Sequence, residues 1–439
     1  MSQQLFIAVA TGQNVSNMPP ILQFAHRGDT VLWLESSLAA QQGWADGAKQ
    51  VLKARGLVNT QQSIDGDINS PLAIQNAVQS WLNQHQPDMK TLYIVLNGGQ
   101  KLTAFGLALA GRIWRDERKR PLLFLYGDDR PAQLQVYRER IGSQPEMLTY
   151  DASRMLSLRE VLQVNGFELQ NQPEAIDWRE PQKKVRYGTD LAFTRIVHKY
   201  AMQAEDTQQK VCDWPPFQHW AKKTKNQFQE RLEKLFESFG IRVVHKGKRA
   251  DDFHANLVSI VRKFHPKKPK LSIQADDRKQ LQAEGWIVND TVIMGENFER
   301  VVANRLARYL ADKPKASSIV RECKLNTKTQ GAEWDVVVVL VNGIVLNLEC
   351  KSWQADKKDL DARFRMLRSA SGRLARMSVV MPLFEGMDEP IDEKMRANYE
   401  HVKNMLGVSV LPLTMHHHTP SDNLSFEAGL DQLFKPYIV

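Results

Sequence analysis

A valine-rich run is the feature of this sequence that most restricts what the chain can fold into. Residues 336–341 read Val-Val-Val-Val-Leu-Val, and a second apolar stretch, 344–350, follows after Asn342-Gly343. A continuous apolar run is typical of a strand that is buried on both faces. Asn-Gly between two such strands is a strong β-hairpin signal. The sequence therefore predicts a buried hairpin.

Charged residues stand at the open end of this hairpin. Asp335 directly precedes the first strand, and Glu349 and Lys351 lie at the end of the second. Residues two apart on a strand share a face, so Glu349 and Lys351 should be neighbours. Carboxylates suit Mg²⁺ or Mn²⁺, which activate water and polarise a phosphodiester, and a lysine can stabilise charge on the phosphate. The pattern predicts a metal-dependent nuclease site.

The length of the turn decides whether Asp335 can join that site. A two-residue turn would set Asp335 opposite Cys350, so that its side chain pointed away from Glu349. A three-residue loop, 341–343, with its glycine in the left-handed conformation, shifts the register by one and sets Asp335 opposite Glu349. We expect this register, or a bulge elsewhere in the hairpin with the same effect.

The segments on either side of the hairpin supply further candidates. A helix is predicted over 296–311, and one of its acids, Glu299 or Glu296, could approach the same metal. Downstream, six basic residues are candidates for phosphate contacts, although each alone is better explained as a surface or structural residue: Lys357, Lys358, Arg363, Arg365, Arg368 and Arg373.

The first 150 residues alternate short apolar runs with helical patterns. Strands are predicted over 5–10, 30–34, 91–96 and 122–126, and helices over 19–26, 40–55 and 102–114. This alternation predicts a mostly parallel, doubly wound sheet, whose ligands sit beyond the carboxyl ends of the strands. Three loops fall at those ends: 11–17, 35–37 and 97–101.

The loop Asn97-Gly-Gly-Gln-Lys101 follows a strand and opens a helix. Its glycines let backbone amides approach an anion, and the helix N-terminus and Lys101 favour negative charge. The loop lacks the G-x-G-x-x-G pattern and a ribose-binding acid, so a dinucleotide cofactor is not expected. An anion site and a plain glycine-rich turn both remain compatible with it.

Charge and composition limit the remaining possibilities. Between His219 and Lys270 there are 14 Lys or Arg against 5 Asp or Glu, a difference of 9 that equals the net charge of +9. Such a surplus attracts polyanions, or forms a solvated face and linker. The basic segment lies in a middle region, 151–294, which also includes a predicted helix over 228–239 and a weak winged-helix pattern near 275–294. With no membrane-length apolar run, no signal peptide and three scattered cysteines, we expect a cytoplasmic protein.

The order of a glutamate-bearing helix, Asp335, a buried hairpin and Glu349-x-Lys351 resembles the PD-(D/E)xK superfamily of restriction-endonuclease-like nucleases. Trp334 stands where that motif has its proline. The resemblance covers about 295–439. It implies that Asp335 and Glu349 are metal ligands, that Lys351 is the catalytic lysine, and that Glu299 is a third, helical ligand.

The N-terminal pattern resembles the CARF domain, the CRISPR-associated Rossmann fold. The whole chain then resembles the CARF nucleases of type III CRISPR antiviral systems, which cyclic oligoadenylates activate. The resemblance implies an α/β chain with a Rossmann-like sensor (1–150), a connecting region (151–294) and a restriction-endonuclease-like domain (295–439). It implies a homodimer that shares one activator, such as cyclic tetra-adenylate. The implied activator site comprises Thr11, Gly12, Gln13, Asn14, Ser36, Ser37, Asn97, Gly98, Gly99, Gln100 and Lys101.

Two other functions fit the same residues. One is an unregulated endonuclease of restriction or repair type, which would be fully active without a nucleotide activator. The other is a ligand-responsive, nucleic-acid-binding regulator built on a degenerate nuclease, although the intact acidic pair and lysine disfavour it. Both DNA and RNA remain possible substrates.

Overall fold

The computed structural model describes residues 4–85, 88–128, 130, 132–153, 156–179, 242–244, 275–284, 291–293, 296–351, 357–385, 397, 399–404, 409–416 and 426–438. Within these ranges a seven-stranded and a six-stranded sheet, each flanked by helices, form two α/β units. The predicted α/β fold class is therefore confirmed.

The first sheet is doubly wound, as the alternating pattern predicted. Its strands are β1 Leu5–Val9, β2 Thr30–Glu35, β3 Val58–Ser63, β4 Leu92–Val95, β5 Leu122–Gly127, β6 Gln133–Glu139 and β7 Glu146–Asp151. Their order is β3-β2-β1-β4-β5-β6-β7, with β1 to β5 parallel and β6 and β7 antiparallel. The loops after β1, β2 and β4 therefore lie side by side at one edge.

Helices cover both faces of this sheet: α1 Met18–Phe24, α2 Ser37–Gln41, α3 Asp46–Ala54, α4 Pro71–His85, α5 Lys101–Arg118 and α6 Leu158–Val164. Apolar residues of α1 and α3 pack with Phe6 and Trp33 on one face. Those of α4 and α5 pack with Ile7 and Leu34 on the other. Because consecutive strand residues are buried on opposite faces, these strands read as unbroken apolar runs.

Some elements differ from the sequence predictions. The single helix predicted over 40–55 is two helices, α2 and α3, because Gly43 takes a left-handed φ of 61° between them. The edge strand β3 was not predicted, since it reads Val-Asn-Thr-Gln-Gln-Ser and is largely exposed. The helix α4 and the strands β6 and β7 were also missed.

The connecting region is described only in part. Its elements are β8 Glu174–Ala175, β9 Arg242–Val244, α7 Ala275–Glu284 and β10 Thr291–Ile293, and β9 pairs with β10 in parallel. The strand β8 joins the second sheet. The predicted helix over 228–239 and most of the basic segment His219–Lys270 lie outside the described residues, so the winged-helix interpretation stays a prediction.

The second sheet holds the valine-rich hairpin at its centre. Its other strands are β11 Val320–Thr329, β12 Ala332–Leu340, β13 Val345–Cys350, β14 Arg376–Glu385 and β15 Ser409–His416, in the order β15-β14-β13-β12-β11-β8. The strands β13, β14 and β15 are parallel, and the rest are antiparallel. The helices of this unit are α8 Glu296–Asp312, α9 Pro314–Ser318, α10 Lys357–Ser371 and α11 Phe426–Phe434.

One continuous apolar cluster joins the two units. The Asn165 side-chain amide donates to the Ala370 carbonyl at 3.1 Å, and the Glu322 carboxylate accepts from the Leu158 amide at the start of α6. The turn of the β12–β13 hairpin also reaches the first unit. A Cβ built on Gly343 would lie 3.2 Å from Val15 Cγ1. Among the described helices, none has the length and apolarity to span a bilayer.

Candidate active site

The hairpin has the register that the site requires. Val336 pairs with Leu348 and Val339 with Val345, which sets Asp335 opposite Glu349. The turn is closed by the Leu340 amide, which donates to the Ile344 carbonyl at 2.8 Å, and Gly343 has a left-handed φ of 81°. The predicted three-residue loop and its shift by one residue are therefore confirmed.

Both carboxylates are taken out of solvent. Asp335 is 7% exposed and Glu349 is 0% exposed. The Cys350 backbone amide donates to Asp335 Oδ2 at 2.6 Å, which fixes the orientation of that side chain. The Asn347 side-chain amide lies 3.4 Å from Glu349 Oε2, on the same face of β13. The two acids are thus held rigidly at the open end of the hairpin.

Burial makes it unfavourable for both carboxyl groups to be ionised when no cation lies beside them. Burial, Glu349 and Glu299 raise the pKa of Asp335 well above its ordinary value, although the Cys350 amide and Lys351 act in the opposite direction. Neighbouring carboxyl groups that cannot both ionise without a large free-energy cost are a known feature of functional sites. A divalent cation between the carboxylates would remove the conflict.

The helical acid approaches the same place. Glu299 lies on α8, is half-buried, and acts electrostatically on both Asp335 and Cys350. Glu296 begins the same helix. Because the side chain of Glu296 falls outside the described part of the chain, the preference for Glu299 stays a prediction.

Lys351 has the position expected of a lysine that works with Glu349. Its Nζ lies 3.0 Å from Glu349 Oε1 and 3.3 Å from Asp359 Oδ2 on α10. Arg363, one of the six downstream basic candidates, brings Nη1 to 2.8 Å from the same Glu349 oxygen. The structure thus distinguishes Arg363 from Arg365, which is exposed and, among the described residues, hydrogen-bonds the Asp361 carbonyl of its own helix.

Sequence reasoning missed three residues here. Asn347 shares a face with Glu349, and strand periodicity alone could have indicated it. Asp359 could not be found in this way, because only the packing of α10 brings it to Lys351. Asn326 on β11 has a left-handed φ of 55°, and the register places it opposite Asp335. Asparagine tolerates this conformation better than most residues.

The donor set fits a hard divalent cation. Within the described part of the chain, no three His, Cys, Asp or Glu side chains lie close enough together to form a ready-made metal cage. Magnesium does not need one, because it keeps several waters and is commonly held by one or two carboxylates. Asp335 and Glu349 would hold the ion, with Glu299 near by. The Cys350 thiol offers no alternative chemistry, since burial and the neighbouring carboxylates raise its pKa well above its usual range.

The predicted activator residues gather at one edge of the first sheet. The loops after β1 and β4 touch, since a Cβ on Gly98 would lie 2.7 Å from the Val9 carbonyl oxygen. Several polar side chains hold these loops in shape. Asn14 donates to the Trp44 carbonyl at 2.6 Å, Asn97 exchanges two 2.7 Å hydrogen bonds with the backbone of Gly127, and Ser36 caps α2.

The other members of the set are open to a ligand. Half-buried Thr11 and Gln13 flank the exposed Gly12. Four further residues of the set are exposed: Ser37, Gly99, Gln100 and Lys101. Beside them lies a cleft of about 340 Å³ that is lined by Thr11, Gly12 and Trp44, and by Ser369 of α10. The predicted ligand edge therefore borders the helix that carries Asp359 and Arg363.

The comparisons with known proteins concern the fold of this chain and do not show which reaction it carries out. No protein-family model and no curated protein matches the sequence. The structure is similar to protein VC1899 from Vibrio cholerae, with 13% identity and a TM-score of 0.56 over 99% of this chain and 98% of that one. Can2 from Sulfobacillus thermosulfidooxidans in complex with cyclic tetra-adenylate gives 12% identity and 0.46 over 99% of both chains. A type III CRISPR defence DNA nuclease activated by cyclic oligoadenylate gives 12% and 0.42 over 91% of this chain and 52% of that one.

Proposed function

We propose that this protein is a metal-dependent nuclease that hydrolyses phosphodiester bonds at Asp335, Glu349 and Lys351, under the control of a cyclic oligoadenylate bound by the first unit. The register of the hairpin carries this proposal. It sets two buried carboxylates opposite each other, with an ammonium group 3.0 Å from one of them. A surface cluster of charges would have no reason to be buried in this way.

Each residue has a distinct role in the proposed reaction. Bound Mg²⁺ or Mn²⁺ would lower the pKa of water and polarise the phosphate. Asp335, oriented by the Cys350 amide, and Glu349 would hold that ion. Lys351 would orient the attacking oxygen or stabilise the charge that develops on the phosphate, because its Nζ stands beside Glu349.

The first unit is proposed to sense the activator. The backbone is exposed at Gly12 and Gly99, and Lys101 stands at the first position of the 18-residue helix α5. Exposed amides, a helix N-terminus and a lysine together favour a phosphate-rich ligand. A ring-shaped oligonucleotide has repeated phosphates, so two copies of this edge related by a two-fold axis could share one ring. We therefore propose a homodimer.

The contact between the units offers a route for this control. Val15 lies in the loop after β1, is 8% exposed, and lies against the turn of the proposed catalytic hairpin, where a Cβ built on Gly343 would be 3.2 Å from its Cγ1. A groove beside it is lined by Asn97 of the loop after β4 and by Asn342 of the turn. Two of the three proposed ligand loops, 11–17 and 97–101, thus border the hairpin whose far end carries Asp335 and Glu349. A ligand that shifts these loops would shift the hairpin.

The proposed function is tested by incubating the purified protein with labelled DNA and RNA in Mn²⁺, with and without each cyclic oligoadenylate. We expect cleavage that EDTA abolishes and that one cyclic oligoadenylate raises strongly. Equal cleavage with and without every activator would identify an unregulated endonuclease. Nucleic-acid binding that responds to an activator, without cleavage under any condition, would identify the regulator instead.

Reversing the charge at Lys101 should weaken activator binding. Lys101→Glu puts a negative charge at the N-terminus of α5, where it repels the phosphates that the wild type attracts. The concentration of cyclic tetra-adenylate that half-activates cleavage should rise by about tenfold or more, with activity recovering at high activator. Lys90→Glu, an exposed lysine before β4, is the control and should leave the curve unchanged. A curve unchanged by Lys101→Glu would remove this residue from the site.

Shortening Val15 should uncouple the two units. Val15→Ala removes the side-chain atoms that contact the hairpin turn, while the polar bonds of Asn14 and Asn17 still hold the loop. We expect activator affinity and activator-free cleavage to stay near the wild-type values, and the activation ratio to fall about tenfold. Val51→Ala, the same truncation at a buried position in α3 that is 1% exposed, should keep the ratio. A full activation ratio in Val15→Ala would show that coupling runs elsewhere.

A further inference from the structure

Two basic side chains meet at one carboxylate oxygen. Arg363 Nη1 and Lys351 Nζ lie 2.8 and 3.0 Å from Glu349 Oε1. Each also lies 3.3 Å from Asp359 Oδ2, Arg363 through Nε and Lys351 through Nζ. The four groups form a closed network in which both acids contact both bases. Arg363 therefore has the same placement relative to the proposed metal ligand Glu349 as Lys351 has.

Arg363 is anchored on one side and open on the other. Its Nε faces Asp359, four residues earlier on α10, and its Nη1 also lies 3.3 Å from the Glu333 carbonyl. Among the residues that the structure describes, Nη2 has no hydrogen-bond partner. The side chain is 33% exposed, against 18% for Lys351. The guanidinium is thus fixed in orientation and still has donors directed outward.

We propose that Arg363 is a further catalytic residue, which binds a non-bridging oxygen of the scissile phosphate next to Lys351. This inference rests on the function proposed above. A guanidinium suits this role because it can hold the two acids through Nε and Nη1 and still donate from Nη2 to a phosphate oxygen. It remains charged throughout, because a guanidinium is not deprotonated in proteins.

The competing explanation is that Arg363 only neutralises Glu349. The two roles predict different outcomes when another cation takes the place of the lost side chain. A free guanidinium ion can occupy the space left by Arg363→Ala and contact a phosphate there. It should also leave the fold alone at millimolar concentration. Rescue of cleavage by added guanidinium therefore rules out a purely structural role, and Arg363→Lys, which keeps a cation beside Glu349, separates contact with substrate from neutralisation of Glu349.

The test uses the full-length protein, with the cyclic oligoadenylate that best activates the wild type. Arg363→Ala should cleave about 100-fold more slowly than the wild type, and guanidinium should restore at least about tenfold of that loss. Arg365→Ala, two residues along the same helix, should cleave at the wild-type rate without added guanidinium. Mn²⁺ affinity, measured by electron paramagnetic resonance, should not weaken in Arg363→Ala, because the change removes a cation from beside Glu349. Cleavage within about threefold of wild type, or a loss that guanidinium does not restore, would overturn the assignment.

A binding measurement keeps the assignment testable if the wild type does not cleave. In Ca²⁺, Arg363→Ala should bind labelled DNA or RNA about tenfold more weakly than wild type, and Arg365→Ala should not. Equal binding by both variants would contradict the role of Arg363. Arg363→Lys, which also serves if Arg363→Ala fails to fold, keeps the charge and loses the Nη2 donors, and should retain only about a tenth of the wild-type rate. An Arg363→Lys enzyme as fast as the wild type would show that a cation beside Glu349 is sufficient, and would reject the contact of Nη2 with the phosphate.

Discussion

Replacing Asp335 by asparagine should abolish cleavage and make the protein more stable. The rate should fall by about 1000-fold or more, because a neutral amide replaces one of the two carboxylates that are proposed to hold the metal, which is worth several kcal/mol. Stability should rise because burial and like charge raise the pKa of Asp335, so that its ionised form is disfavoured in the fold. Asparagine keeps an oxygen to accept the Cys350 amide.

The stability difference should depend on pH with a definite sign. A carboxyl whose folded pKa lies above its ordinary value of 3.8 makes the folded state bind more protons than the unfolded state. Wild-type stability is therefore lost as pH rises from 3.8 through the raised pKa, and Asp335→Asn does not share this loss. Thermal melts in EDTA should show the Tm of Asp335→Asn above that of wild type by about 1 °C for each 1 kcal/mol in a chain of 439 residues, with the gap widening as pH rises.

Glu333→Gln is the matched control for this prediction. Glu333 lies on the same strand two residues earlier, is exposed, and forms a surface ion pair with Lys328 at 3.2 Å. Exposed pairs of this kind contribute little, so both cleavage and Tm should stay near the wild-type values. Substantial cleavage by Asp335→Asn at saturating metal would show that the hairpin is not the active site.

Replacing Lys351 by methionine should stop turnover without weakening metal binding. The ammonium is proposed to act on the attacking oxygen or the phosphate, so the rate should fall by about 1000-fold. The substitution removes a cation that lies 3.0 Å from Glu349 Oε1. That carboxylate is then more available to Mn²⁺, so the metal should bind as tightly as before or more tightly. Methionine fills a similar volume, which limits any cavity.

Lys328→Met provides the comparison, because Lys328 is a half-exposed lysine on the neighbouring strand β11. We expect cleavage by that variant to match the wild type. Isothermal titration with Mn²⁺ and single-turnover cleavage, measured on both variants, separate binding from chemistry. A clearly weaker Mn²⁺ affinity in Lys351→Met would mean that Lys351 organises the metal ligands and does not act on the substrate.

The core of the candidate active site followed from local sequence features. A valine-rich run indicates burial, Asn342-Gly343 indicates the turn, and strand alternation places Glu349 and Lys351 on one face. The requirement that Asp335 share that face predicted the three-residue loop and the left-handed Gly343, and both are confirmed. These features depend on residues close together in the chain, so turn geometry and periodicity were sufficient.

Polar elements with weak periodicity were not predictable in this way. The edge strand β3 has no apolar alternation to mark it, because a partly exposed edge strand needs none. In contrast, β1, β2, β4 and β5 are largely buried and were all predicted within a residue or two. Burial creates the sequence signal, so the elements that the core needs least are those that sequence analysis finds last.

Only the tertiary structure decided which distant residues complete the site. The sequence offered six downstream basic residues without distinguishing among them, and the packing of α10 brings Arg363 and Asp359 to Glu349. The contact of Val15 with Gly343 spans more than three hundred residues and has no local signature. Periodicity fixes the face on which a side chain lies, whereas the angle and distance between a helix and a sheet depend on how the whole core packs.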